Sequence, residues 1–173
     1  MVNKLSVIVL LMPKYLVLTY DLQSLNDILN SALDLKEVTL LLPYSLYKDN
    51  ILVTAAFGKV IKIRNYLNSA EVEVVAYTEL SQTTYQGIIA THEVDILRAA
   101  RLRTFMSIPG QNYDSALAFR RKTIMKGILQ HNQINVPLFK FIESPTDIID
   151  FMNHTSLPLV IKPDLGTGSE DVK

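Results

Sequence analysis

The chain has 173 residues, 49% of them hydrophobic, and its 17 basic and 17 acidic side chains cancel to a formal net charge of zero. A chain of this size can bury a core without extra staples, and the lack of cysteine excludes a disulfide framework, a thiolate nucleophile and any cysteine-held zinc. The balanced charge gives no electrostatic footprint for nucleic acid, and no apolar run approaches the ~18 residues of a membrane span, although mean hydropathy is +0.20.

In chain order, the first signal is Ser6-Val-Ile-Val-Leu-Leu behind Lys4. A basic residue before an apolar run has the outline of a signal peptide, yet no small-residue cleavage pattern follows. The branched run predicts a buried parallel strand over 7–11, with a second β-prone run over 15–20 beyond Pro13. A cysteine-free chain agrees with a cytoplasmic address. Leu25, Ile28, Leu29 and Leu33 form a helical stripe over 24–35, with Ser24 as its cap. Strands are expected over 37–42, stopped by Pro43, over 59–63 and 71–76 nearer a sheet edge, and over 87–91. A strong helix is expected over 94–106. Strands separated by helices imply parallel crossovers, so residues 1–110 read as an open α/β domain with a parallel sheet.

Ile108-Pro109-Gly110 and the polar run after it mark a boundary, and a second unit is expected over 111–173. Asp114 or Ser115 caps a predicted helix to about Gln130. A strand is expected over 136–142, then a helix to about Asn153 opened by Ser144-Pro145-Thr146-Asp147, and a strand over 158–162. With about two strands and two helices this second unit is thin for an independent core. The chain therefore reads as the front part of a longer protein.

Gly166, Thr167, Gly168 and Ser169 follow the last predicted strand. Glycines let backbone amides close around phosphate oxygens, and the two hydroxyls add donors. The run is neither a Walker loop nor a Rossmann fingerprint, and alone it reads as a plain turn. Lys162, at the strand end beside it, could neutralise a phosphate held by that loop or simply snorkel into water. Lys122, in Phe119-Arg-Arg-Lys122, could do the same or belong to a solvated helix face. Glu93 lies where a parallel strand meets its helix, the edge at which such sheets place ligands. It could equally serve the helix dipole. His92, His131 and His154 have no ligand spacing, and no metal site is expected; Arg98, Arg101 and Arg103 read as a solvated or interface face.

Taken together, Arg98-Ala-Ala-Arg-Leu-Arg103, Ile108-Pro-Gly110, Phe119-Arg-Arg-Lys122, Met125-Lys126, Val136-Pro-Leu-Phe139, Leu157-Pro-Leu-Val-Ile-Lys162-Pro163 and Gly166-Thr-Gly-Ser169 stand in an order that resembles the ATP-grasp superfamily, in its biotin carboxylase-like and carbamoyl-phosphate-synthase-like branch. The resemblance covers about 85–173; over 1–84 it rests on the α/β pattern alone. It implies a pre-ATP-grasp, Rossmann-like domain followed by an incomplete small lobe. It also implies an ATP-dependent ligase that activates a small carboxylate as an acyl-phosphate for an amine or similar nucleophile. On that pattern Lys122 and Lys162 contact the nucleotide, Gly166–Ser169 closes over its phosphates, and Glu93 faces the substrate. The family's Mg²⁺ carboxylates, adenine hinge and catalytic arginine belong to a later lobe, so no catalytic residue is assigned, and the chain alone is expected to be inactive and to bind ATP poorly. Asp164, Glu170 and Asp171 put acid beside the loop, which does not favour phosphate. The alternatives are a non-catalytic interaction domain, used for homo-oligomer contacts, and a flavodoxin-like binding domain.

Overall fold

A computed structural model describes residues 14–165, and the chain divides into two compact units, 1–110 and 111–173. Among the described residues the first unit is built on a parallel sheet of four strands, β1 (Tyr15–Leu18), β2 (Val38–Pro43), β3 (Lys59–Ile63) and β4 (Gly87–Ala90), in the order β3-β2-β1-β4. Register pairs Val17 with Leu40 and with Ile89, and Leu40 with Val60. The helices are α1 (Leu22–Leu29), α2 (Tyr44–Asp49), α3 (Ile51–Thr54), α4 (Glu71–Gln82) and α5 (Glu93–Met106), with a single 3₁₀ turn at Leu35–Glu37.

The central strands are apolar at nearly every position because both faces of the sheet are covered; the exception, Thr39, accepts a hydrogen bond from the Tyr85 hydroxyl at 2.7 Å. Successive side chains alternate between faces. Leu16, Leu18 and Leu41 point into a core with Val72, Ala76 and Leu80 of α4 and Ala99 and Leu102 of α5. Val17, Leu40 and Leu42 point the other way, onto Leu25 and Ile28 of α1 and onto Phe57. The open parallel α/β architecture expected from the sequence is what the chain adopts.

Several local expectations are corrected. Residues 71–76 are helical, because the buried set Val72, Ala76, Glu79 and Leu80 recurs every three or four residues along α4; the alternation of Glu and Val over its first turns hid that stripe. The helix expected over 24–35 is the shorter α1, capped by Asp21, whose carboxylate accepts the Ser24 amide at 2.8 Å and hydroxyl at 2.6 Å. Pro43 ends β2 from inside the strand. The strand expected over 7–11 lies outside the described residues, and the run behind it supplies β1. Helix α5 closes through Ser107 at φ 55°, with the Ile108 amide reaching the Arg103 carbonyl at 2.9 Å. Gly110 then adopts φ 135°, a region that disfavours side chains, beside the Arg103 side chain.

In the second unit the described elements are α6 (Tyr113–Arg120), α7 (Lys122–His131) and α8 (Pro145–His154). Asn112, rather than Asp114 or Ser115, caps α6 by accepting the Ser115 amide at 2.8 Å. The single helix expected to Gln130 breaks at Arg121, whose backbone is extended (φ −94°, ψ 112°). Helix α8 starts as the sequence indicates, with Asp147 accepting the Ser144 amide at 2.8 Å. Residues 136–142 and 158–162 form no strand among the described residues. Pro137 and Pro158 each remove a ladder donor at the start of these runs.

Candidate functional site

The second unit holds a cavity of about 420 Å³. Its walls come from the first turns of α7, the irregular stretches 138–142 and 159–164, and α8. Four lysines line it, Lys122, Lys126, Lys140 and Lys162, over an apolar surface that includes Phe139, Phe141, Phe151 and Leu159. A concave apolar wall with a few convergent cations suits a ligand that is planar at one end and anionic at the other. Lys122 and Lys162 thus share one cavity, although neither lies where the sequence reading put it: Lys122 opens α7 rather than sitting inside a longer helix, and Lys162 is on irregular chain rather than a strand end. Gly166, Thr167, Gly168 and Ser169 lie outside the described residues.

Each lysine has a distinct setting. The Lys122 ammonium donates to the Pro163 carbonyl at 3.0 Å. Lys126 stands over the Phe139 ring, 5.2 Å from its centroid, within the roughly 6 Å reach of a cation–π contact. Lys140 is drawn to Asp150 at 2.7 Å and Asp147 at 3.5 Å, and these bonds raise its pKa. Lys162 is solvent-exposed.

Asp164 ties the two walls together. Its carboxylate accepts the Thr123 amide at 2.9 Å, the Thr123 hydroxyl at 3.0 Å and the Arg121 guanidinium at 2.7 Å. Burial pushes this carboxyl up, but the bonds from Thr123 and Arg121 outweigh it and hold the group below its usual range. Sequence reasoning saw Asp164 only as an acid beside a phosphate loop and Lys126 only as part of a motif order; it missed Thr123 and Lys140. Phe139-Lys140-Phe141 was the available signal, two rings flanking a cation just before the α8 cap.

Glu93 belongs to the first unit, at the first position of α5, and is exposed. The residues around it are mostly structural. His92 caps α5, its Nδ1 accepting the Val94 amide at 3.3 Å, while its ring lies 4.9 Å from that of Tyr20. Asp95 is fully buried and accepts from Tyr66 at 3.0 Å and Arg98 at 3.0 Å; burial still pushes its carboxyl up. Arg98 also donates to the Tyr66 and Leu67 carbonyls, and Arg103 to the Ile88 carbonyl at 2.7 Å. Arg98 and Arg103 thus brace the unit internally, whereas Arg101 is exposed and meets Glu73 at 3.3 Å, so the solvated face read from the sequence holds for Arg101 alone. Among the described residues no group of three or more His, Asp or Glu side chains could hold a metal ion, and no helix is long and apolar enough to cross a membrane.

No protein-family model matches the chain. Over 85 residues it is 31% identical to the L-arginine-specific L-amino acid ligase of Bacillus subtilis, a stretch that is 49% of this chain and 21% of that protein. The crystal structure of an L-amino acid ligase from Bacillus licheniformis superposes with a TM-score of 0.67 at 18% identity, covering 90% of this chain and 38% of that one. The chain therefore spans well under half the length of either protein. Neither is a biotin carboxylase or a carbamoyl-phosphate synthase, so the finer branch expected from the motifs gains no support. The chain is similar in sequence to a part of one amino acid ligase and in fold to a part of another.

Proposed function

We propose that the chain is part of an ATP-grasp ligase that joins a carboxylate to an amine, with amino acids as the substrate class. The lysine-lined cavity of the second unit carries this reading: it offers apolar surface for a base and ammonium groups for phosphates. The two ligases to which the chain is similar, and the order of motifs around Lys122 and Lys162, support it. In the reaction the γ-phosphoryl group leaves ATP for a carboxylate oxygen, and the amine then attacks the acyl carbon, releasing phosphate and forming an amide.

Lys122 and Lys162 act as fixed positive charges beside the phosphates, the electrostatic role on which phosphoryl transfer depends. Lys126 and Phe139 border the same space. The described residues do not fit Mg²⁺, since they offer no cluster of oxygen ligands, and the role assigned to them runs through side-chain charge alone. Glu93, an exposed carboxylate at the C-terminal edge of the sheet, is the proposed substrate contact, where it suits the ammonium of an amino acid.

The test is phosphate release by the full-length protein, paired with a melting curve. Lys162→Met should keep the fold and lower turnover about a hundredfold, the scale of one preorganised charge contact. Lys122→Met should weaken ATP binding with smaller loss. Unchanged turnover in Lys162→Met removes the assignment. A second use of the first unit, self-association, is favoured by the exposed Tyr77 and Phe105, whose rings meet edge-on at 5.8 Å; a Phe105→Asp variant that leaves the sedimentation coefficient unchanged refutes it.

A further inference from the structure

We propose that Asp164 is a positioning residue that holds Lys122 and Lys162 as a pair on one cavity wall, an inference that rests on the function proposed above. The bonds around it all join the same two short segments. The carboxylate takes the Thr123 amide and hydroxyl and the Arg121 guanidinium. Its backbone carbonyl accepts the Lys122 amide at 3.2 Å. One residue earlier the Pro163 carbonyl accepts the Lys122 ammonium at 3.0 Å, and one residue later the Leu165 carbonyl accepts from Arg120 at 3.1 Å.

These contacts solve a mechanical problem. Lys162 sits on chain that has no strand ladder among the described residues, so neighbouring strands do not fix its backbone. Lys122 sits on a helix that would run on from α6 were it not broken at Arg121. Asp164 lies two residues past Lys162 and bonds to the residues on either side of Lys122. It therefore fixes the separation of the two backbones from which both lysines project. A charge that is already placed costs no reorganisation when negative charge develops on a phosphate, and a misplacement of about 1 Å can cost a hundredfold. The same bonds answer the objection that an acid here repels phosphate, because Arg121 and Thr123 engage the carboxylate and leave no bare negative charge facing the cavity.

The experiment is calorimetric titration of the full-length protein with ATP, beside melting curves, for wild type, Asp164→Ala, Asp164→Asn and Lys162→Met. The expected result is ATP affinity weakened about tenfold or more in Asp164→Ala, with partial rescue in Asp164→Asn, which keeps an oxygen for the Thr123 amide but loses the charge for Arg121. Both variants should remain folded. Wild-type affinity in a folded Asp164→Ala overturns the inference, as does loss of the fold in both variants. Lys162→Met separates the two levels: if it too binds like wild type, the nucleotide site fails; if it binds weakly while both Asp164 variants bind normally, only the positioning role fails.

Discussion

The two units are held together by different means. In the first, strand β2 is buried along its whole length, β1 is buried beyond Tyr15, and each face of the sheet has its own apolar core. In the second, Ala116 is the only buried hydrophobic side chain among the described residues, while Ile128, Leu138, Phe141, Ile149 and Val160 are exposed. Its order comes from polar ties instead: Asp164 to Thr123 and Arg121, Asp147 to the start of α8, Lys140 to Asp150. Apolar burial is non-directional and cooperative, whereas hydrogen bonds between segments are few and positional. A sheet with two cores suits a scaffold; a loosely buried unit that presents charge suits a surface waiting for a ligand.

The sharpest way to break this contrast is truncation. Leu40→Ala, at a fully buried position, should destabilise the protein by about 3 kcal/mol through lost transfer energy and the cavity left behind. Ile149→Ala on α8, where the side chain is 59% exposed, should stay within about 0.5 kcal/mol. Equal losses in chemical denaturation would erase the distinction. Next, amide exchange should be far slower in β1 and β2 than in α6–α8, since protection follows cooperative burial; equal protection in both units contradicts the account.

Acid should loosen one tie in each unit. Glu79 of the first unit, bonded to Lys59 at 2.6 Å and Tyr85 at 2.7 Å, and Asp164 of the second both have folded pKa values below their ordinary 4.5 and 3.8, the bonds outweighing the upward push of burial. For such groups the unfolded state takes up protons first as pH falls. Their stabilisation is complete above the ordinary values and is lost as pH drops through the folded ones. Side-chain and amide resonances of Glu79 and Thr123 should report it; ties that persist after both carboxyls protonate would contradict this. The smallest effect is expected at Gly127 in α7, where an added Cβ meets nothing within 4 Å. Gly127→Ala should stabilise by about 0.5–1 kcal/mol, and destabilisation would mean that another surface covers this point.

The contrast also explains what was legible in the sequence. The parallel sheet announced itself because strands covered on both faces read as short, nearly continuous apolar runs, as Leu40-Leu-Leu-Pro43 and Gly87-Ile-Ile-Ala90 do. Helix α8 was equally readable, since Ser144-Pro145-Thr146-Asp147 caps it locally. Helix α4 was not, because its Glu-Val alternation satisfies a strand period as well as a helical one. In the second unit Lys122 and Lys162 could be singled out by charge and order, but the break at Arg121 and the bonds of Asp164 join residues some forty positions apart (Arg121 to Asp164). No local pattern carries that information.

The most direct test of the nucleotide cavity is hydrogen exchange of the full-length protein with and without ATP. The account predicts slowed exchange at 122–126, 138–142 and 159–165, the segments that surround the lysines. Slowing confined to 19–21 and 91–95 at the sheet edge of the first unit, with the second unit unchanged, would contradict it.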